Sequence, residues 1–178
     1  VRQGKVMYWG TSEWPAALVR EAHAAARAHH LHPPTMEQPQ YNLLHRRRVE
    51  LEYAPLYAEF GLGTTVWSPL ASGLLSGKYN DGIPTDSRAA REPWLRERLD
   101  AGEGGDLARA RRFTALAQEL GQPPAALAIA WCLRNPHVSS VILGASRVSQ
   151  LLGNLAAVTL ASELDEGIWR RLEAATAG

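Results

Sequence analysis

Residues 64–79 join a short β-branched run to a glycine-rich loop, and their side chains suit a flat, anionic ligand. The run ends in Trp67, Ser68 and Pro69, so a large aromatic ring stands at the end of a predicted strand. Lys78 follows in a stretch of small residues and adds a cation. In parallel α/β folds the loops after the strands carry the chemistry. We therefore expect a site here that stacks a ring and binds an anion.

A second candidate anion site follows the last predicted strand. Gly144 ends an apolar run, Ser146 stands at the expected N-cap of a helix, and Arg147 lies in its first turn. Backbone N–H groups at a helix N-terminus attract phosphate, and a hydroxyl and a guanidinium would add donors. A simple cap with a solvated arginine also fits these residues, because such caps are common.

Strand-like and helix-like segments alternate along the chain. Four short segments are predicted as strands, at 6–10, 35–38, 64–67 and 140–144. Helical patterns lie at 16–30, 50–60, 106–120, 123–134 and 149–158, and a last helix is predicted to begin at Ser162. This order is typical of βα units around a parallel sheet. Segment 71–105 has no long periodic element beyond a helical turn or two at 93–99, and its position favours a lid over an inert insertion.

Composition limits the classes of function. The chain has 178 residues, 46% of them hydrophobic, which is enough for a sizeable core in one domain. The net charge of +1 gives no field that would attract nucleic acid. A single cysteine, Cys132, fits a reducing, cytoplasmic compartment. No apolar run approaches the roughly 20 residues that span a bilayer, so we expect no membrane insertion. Four histidines precede a Pro-Pro turn, at positions 23, 29, 30 and 32. For these we favour solvated or capping roles over a metal site.

Several stretches spread over the chain carry a resemblance to a known family. They are YWGTS at 8–12, EQPQYN at 37–42, WSPLA at 67–71, SGKY at 76–79, GIP at 82–84, SR at 87–88, AIAWCLRN at 128–135 and SSVILGAS at 139–146. In these the chain resembles the C-terminal half of an aldo-keto reductase, in the branch that contains potassium-channel β-subunits and their bacterial relatives. The resemblance implies a (β/α)8 TIM barrel, an α/β fold of which residues 1–178 would supply roughly strands 5 to 8.

The resemblance also implies NADP(H) as the cofactor and a set of binding residues. Trp67 would stack on the nicotinamide ring, while Ser12 and Gln38 would hydrogen-bond its carboxamide. Lys78 and Arg88 would lie near the cofactor phosphates. The loop over the pyrophosphate, acting partly through backbone N–H groups, would comprise Ser68, Pro69, Leu70, Ala71 and Ser72. The pocket for the 2′-phosphate and adenine would comprise Gly144, Ser146, Arg147, Gln150 and Asn154.

The family's catalytic groups have no counterpart in this chain. They are an Asp, a Tyr proton donor, a Lys and a His or Asn, all carried by the first four strands of the barrel. Hydride transfer to a carbonyl also needs a proton for the developing alkoxide. Tyr8, Tyr41 and His45 are the candidate substitutes, and none is expected to act directly. We therefore assign no catalytic residue.

The implied activity is NADPH-dependent reduction of small aldehydes or ketones by a longer parent protein, with this chain inactive alone. The alternative is a non-catalytic, redox-sensing β-subunit that binds NADPH and docks on a potassium channel. Expected partners are a small carbonyl substrate, the missing N-terminal half of the barrel and, as a further candidate, a second copy. Glu13, Asp86 and Gly153 replace the Arg, Tyr and Glu of the channel-subunit pattern. A free-standing bacterial-type reductase fits these changes at least as well.

Overall fold

A four-stranded parallel sheet forms the centre of the computed structural model, which describes residues 1–99, 102 and 105–178. The strands are β1 (Gly10–Thr11), β2 (Met36–Glu37), β3 (Gly63–Val66) and β4 (Val138–Val141), and they lie side by side in chain order. Every neighbouring pair is parallel, so all four carboxyl ends meet at one edge of the sheet. The predicted βα order and parallel sheet are confirmed. The described residues form an open sheet.

Helices follow each strand, mostly close to their predicted positions. They are α1 (Ala16–Ala28), α2 (Ala54–Phe60), α3 (Arg88–Arg91), α4 (Pro93–Leu99), α5 (Asp106–Glu119), α6 (Pro124–Leu133), α7 (Val148–Leu155), α8 (Ala157–Glu163) and α9 (Glu166–Thr176). A π-helical turn at Arg48–Glu52 precedes α2, and a 3-10 segment at Ala71–Ser76 follows β3. None of the described helices is long and apolar enough to cross a membrane.

Two helix boundaries differ from the sequence prediction. The helix predicted at 149–158 is divided at Ala156 into α7 and α8. The last helix begins at Glu166 rather than Ser162, because Asp165 Oδ1 accepts a 3.0 Å hydrogen bond from the N–H of Ile168 and caps α9. Gly61 ends α2 in the left-handed conformation, with a φ of 63°, as predicted.

The first strand is much shorter than the apolar run that predicted it. Only Gly10 and Thr11 pair with β2, although the N–H of Thr35 still donates to the carbonyl of Trp9 at 2.9 Å. The side chains of residues 6–9 are exposed in the described part of the chain. An apolar run such as residues 6–9 is normally found in a parallel strand that other elements cover on both faces.

The main core is built around α6. Residues 126–132 of this helix are all buried, as its nearly uniform apolar sequence predicted. Trp131 lies at the centre together with Phe113 of α5 and Leu172 of α9. The thiol of Cys132 is fully buried, and this burial raises its pKa, which agrees with an inert core cysteine.

The segment after β3 is anchored in the same core. Leu74, Leu75, Tyr79 and Leu95 are all buried there, and α4 confirms the predicted helical turns at 93–99. Residues 100, 101, 103 and 104 of the predicted lid lie outside the described residues. Closure of this segment over a ligand stays a prediction.

Candidate functional site

Ser12 and Gln38 lie next to each other at the carboxyl ends of β1 and β2. The Ser12 hydroxyl donates a 3.0 Å hydrogen bond to the Gln38 carbonyl, and the Gln38 N–H donates to the Thr11 carbonyl at 2.8 Å. The side-chain amide nitrogen of Gln38 lies 3.5 Å from the hydroxyl of Thr65 on β3. A hydroxyl and an amide thus lie together at this edge, and beyond these contacts the hydroxyl can still accept a hydrogen bond and the amide can still donate and accept.

Trp67 is held directly beyond the end of β3. Its N–H donates to the Pro39 carbonyl at 3.1 Å, and its carbonyl accepts from the N–H of Tyr41 at 3.2 Å. This bridge places the indole on the same edge as Gln38. The residue is 37% exposed, so part of the ring can receive a flat ligand.

Glu13 contacts Trp67, and this relationship was not predicted from the sequence. Glu13 Oε1 accepts a 3.0 Å hydrogen bond from the indole Nε1, and it also accepts from the N–H of Gln40. The other carboxylate oxygen pairs with Arg48. From the sequence, Glu13 indicated only that a cation of the channel-subunit pattern is missing. In the structure its carboxylate contacts Trp67, Gln40 and Arg48.

Glu37 fixes the loop that carries Ser12 and Glu13. It is fully buried on β2, where one carboxylate oxygen accepts from the N–H of Trp14 at 3.1 Å and the other from the hydroxyl of Thr11. Thr11 and Trp14 lie at the two ends of the loop, so the buried carboxylate holds both ends in place.

The turn after Trp67 has an unusual backbone conformation. Ser68, Ala71 and Ser72 all have left-handed φ values, of 55°, 48° and 59°. Residues other than glycine rarely adopt such φ values, and those that do cluster at ligand sites. The Ser68 carbonyl accepts from the N–H of Ala71 at 3.0 Å, and its hydroxyl accepts from the N–H of Ser72 at 3.2 Å. These two N–H groups, expected to face a pyrophosphate, are therefore engaged within the turn.

Asn42 supports this turn and was not assigned a role from the sequence. It is fully buried, and its Nδ2 donates to the Ser68 carbonyl at 2.9 Å. Its Oδ1 accepts from the backbone of Leu44 and His45. Pro69 is buried beside the turn, while Leu70 is half-buried.

Lys78 returns to the same turn. Its side chain crosses Gly73, where an added Cβ would lie 2.6 Å from the Lys78 Nζ. Gly73 has a φ of 98° and lacks a side chain, so it leaves room for the cation. The ammonium also lies 5.0 Å from the ring centroid of Tyr79. The structure thus brings Lys78 close to the turn, and its role beside a cofactor phosphate stays a prediction.

Arg147 forms the second charged part of the site. Its guanidinium pairs with Asp86 at 2.8 Å, and Asp86 lies two residues before Arg88 in the loop after β3. The Arg88 guanidinium lies 5.5 Å from the ring of Trp94 and is exposed. The structure thus ties Arg147 to the loop directly before α3, whose first residue is Arg88.

The cap of α7 differs from the predicted one. Arg147, not Ser146, is the N-cap residue, and the side chain of Gln150 folds back over the helix start. Gln150 Oε1 accepts from the N–H of Ser146 at 2.9 Å, from its hydroxyl at 3.2 Å and from the N–H of Arg147 at 3.2 Å. Gly144 is exposed ahead of this turn, whereas Asn154 is buried within α7. Gln150 thus occupies donors that a phosphate could use.

The three candidate substitutes for the missing proton donor lie in environments that do not favour proton donation. The Tyr41 hydroxyl donates to Glu50 at 2.8 Å and accepts from Asn135 at 3.2 Å, and burial raises its pKa. Burial and the nearby Arg98 lower the pKa of His45. Tyr8 is 72% exposed in the unpaired segment before β1.

The chain belongs to the aldo/keto reductase family. The sequence pattern described as "Aldo/keto reductase family" matches residues 1–177. The chain is 43% identical over 175 residues to a Schizosaccharomyces pombe protein named "Putative voltage-gated potassium channel subunit beta". This match covers 97% of the chain and 51% of the relative, so the chain spans about half the length of the curated relative. Family membership implies an oxidoreductase, and the family typically uses NAD(P)H.

Proposed function

We propose that this chain is the cofactor-binding half of an NADPH-dependent aldo-keto reductase that reduces small aldehydes or ketones. Its four strands would be strands 5 to 8 of a (β/α)8 barrel. The observation that carries the proposal is the grouping of Ser12, Gln38 and the partly exposed ring of Trp67 at the carboxyl edge of the parallel sheet. This is the edge where barrels of this type bind their ligands.

The residues present fit a nicotinamide nucleotide in three respects. The Trp67 ring offers a surface for a flat heterocycle, with a hydroxyl and an amide beside it for the carboxamide. Lys78 and Arg88 are exposed cations on the loop that follows. Arg147 lies beyond them at the start of α7, where the phosphate that distinguishes NADPH from NADH would be bound.

NADPH, when bound, supplies the hydride, and the residues of this chain would bind and orient it. Trp67 would fix the plane of the nicotinamide ring, while Ser12 and Gln38 would choose which face is presented to a carbonyl. The proton for the product alkoxide would come from the remainder of the protein. Tyr41 is a poor donor because its hydroxyl proton is held by Glu50 and its raised pKa opposes release.

A non-catalytic β-subunit is the second candidate. The name of the Schizosaccharomyces pombe relative supports this candidate, and the cofactor site would then act as a redox sensor. Glu13 and Asp86 stand where the channel-subunit pattern has Arg and Tyr, and both form ion pairs here. These substitutions favour the reductase.

The test uses the complete natural protein that contains this chain. NADPH is titrated while tryptophan emission is followed, and the loaded protein is then mixed with a panel of small aldehydes and ketones. We expect NADPH to bind and to be oxidised by at least one of them. Trp67→Ala should weaken binding of both NADPH and NADH, whereas Arg147→Ala should remove the preference for NADPH.

Arg170→Ala serves as the matched control, because this exposed arginine lies on α9 and, among the described residues, bonds only to the Glu166 carbonyl of its own helix. It should leave both affinities unchanged. A protein that binds NADPH but never oxidises it with any carbonyl would favour the β-subunit. Unchanged cofactor preference in Arg147→Ala would contradict the assigned phosphate site.

A further inference from the structure

We propose that Glu13 is a positioning residue that sets the orientation of the Trp67 ring, and that Arg48 holds Glu13 in place. The proposal rests on the function proposed above, since the oriented ring is the one that would stack on nicotinamide. Its basis is the 3.0 Å hydrogen bond from the indole Nε1 to Glu13 Oε1.

The Glu13 carboxylate joins three separate elements at one point. Oε1 accepts from Trp67 beyond β3 and from the N–H of Gln40 beyond β2. Oε2 pairs with Arg48 of the π-helical turn, whose guanidinium also donates to the Glu13 carbonyl at 3.3 Å. Both oxygens are therefore engaged. Gln40 and Arg48 fix the carboxylate that accepts the hydrogen bond from the indole.

The backbone of Glu13 supports the same conclusion. Its φ of 60° lies in the left-handed region, which non-glycine residues rarely adopt. Such a conformation persists where the surroundings determine it strongly. The partners of Glu13 supply that constraint, together with Glu37, which holds the neighbouring Trp14 N–H at 3.1 Å.

An indole at the end of a strand can rotate about two side-chain torsions. A hydrogen bond at the ring edge restricts both of them, and it leaves the ring faces free for stacking. The bond to a carboxylate is charge-assisted and therefore stronger than one to a neutral acceptor. Arg48 adds to this by restricting the carboxylate itself, so the ring is oriented before any ligand arrives.

The identity of the residue at position 13 decides whether this arrangement can exist. An arginine there, as in the channel-subunit pattern, has no acceptor for the indole N–H. The acidic residue therefore provides a way of orienting Trp67 that an arginine could not reproduce.

The first experiment uses the complete natural protein without cofactor. Proton–nitrogen correlation spectra resolve the indole N–H signals, and Trp67→Phe identifies the Trp67 signal by its loss. We expect slow exchange of this proton with solvent in the wild type. Glu13→Ala should accelerate exchange by about tenfold, and Glu13→Gln, which keeps an acceptor, should have a smaller effect. Glu21→Ala, an exposed glutamate on α1, is the control. Unchanged exchange in Glu13→Ala overturns the proposal.

The second experiment measures NADPH affinity in a double-mutant cycle. Glu13→Ala should weaken binding by about fivefold in the wild-type background and by less than about twofold in a Trp67→Ala background. An equal loss in both backgrounds overturns the proposal, because Glu13 would then act independently of the ring. Arg48→Ala should reproduce part of the Glu13→Ala effect on proton exchange.

The two experiments separate this inference from the proposed function. If the wild-type protein does not bind NADPH, the proposed function fails, and the cofactor role of Glu13 fails with it. The exchange measurement still decides whether Glu13 orients the ring. If NADPH binds and the exchange rate does not respond to Glu13→Ala, only the inference fails.

Discussion

Arg147 and Asp86 form an ion pair, 2.8 Å between Nη2 and Oδ2, that ties the start of α7 to the loop after β3. Their side chains are 66% and 70% exposed, so the pair is worth only about 0–1 kcal/mol of stability. A phosphate could therefore displace the carboxylate at small cost. We therefore expect Asp86 to compete with an anionic ligand for Arg147.

Asp86→Asn should strengthen NADPH binding. Removing the carboxylate releases the guanidinium and removes repulsion of a phosphate, so we expect a gain of about threefold for NADPH and none for NADH. Fluorescence titrations of the complete protein at fixed ionic strength measure both affinities. Asp81→Asn, at an exposed aspartate in the same loop, is the control. Equal gains for the two cofactors would exclude competition at the 2′-phosphate.

Glu37→Ala should destabilise the protein strongly. The change leaves the Trp14 N–H and the Thr11 hydroxyl without their acceptor inside the fold, at a cost of about 2–3 kcal/mol. Glu37→Gln keeps one acceptor oxygen and should cost about 1 kcal/mol. Urea unfolding of the complete protein gives both values. The loop would not depend on Glu37 if the alanine variant unfolded at the wild-type midpoint.

Glu173 should contribute a pH-dependent part of the stability. Burial alone would raise its pKa, but a 3.1 Å hydrogen bond from Trp131 and the cations of Arg46 and Arg134 lower it below the ordinary 4.5. A carboxylate with a lowered pKa stabilises the fold above its unfolded pKa and loses this contribution as the pH falls.

The free energy of unfolding should therefore fall more steeply between about pH 5 and pH 3 in the wild type than in Glu173→Gln. Urea midpoints across this range measure the difference. Glu163→Gln, at an exposed residue of α8, should retain the wild-type slope. Parallel curves for Glu173→Gln and the wild type would show that this carboxylate does not contribute.

Local patterns in the sequence predicted much of the fold. The apolar sequence of α6 predicted a buried helix, and Gly61 predicted the end of α2, because both depend on residues that are neighbours in the chain. The predicted start of the last helix at Ser162 was wrong, because Asp165 accepts a hydrogen bond from the N–H of Ile168 and caps α9, while Ser162 lies within α8.

The side-chain contacts of the candidate site could not be predicted in the same way. The bond between Glu13 and Trp67 spans 54 positions and depends on the segments after β1 and β3 being brought together at one edge of the sheet. The ion pair of Arg147 with Asp86 spans 61 positions, and neither partner has a periodic pattern around it. Sequence patterns identified Trp67 and Arg147 as candidate binding residues, but their partners Glu13 and Asp86 are set by the tertiary fold.

The helices α7 and α8 expose an apolar stripe that should drive association of the isolated chain. Its members recur at helical spacing and are between 44% and 74% exposed: Val148, Leu151, Leu152, Leu155 and Val158. Stripes of this kind normally pack against another element. The strands β1 and β4 are the outermost strands of the sheet among the described residues, and open edges add to the tendency to associate.

We expect the 178-residue chain, expressed alone, to sediment as dimers or larger species. Leu152→Lys should shift the distribution towards monomer, because a charge within the stripe opposes its burial. Ser149→Lys, an exposed residue of the same helix outside the stripe, is the matched control and should not. We expect the remainder of the proposed longer protein to cover the stripe, so co-expression with it should suppress association of the wild-type chain. A wild-type chain that sediments as a monomer at every concentration would show that the stripe tolerates water without a partner.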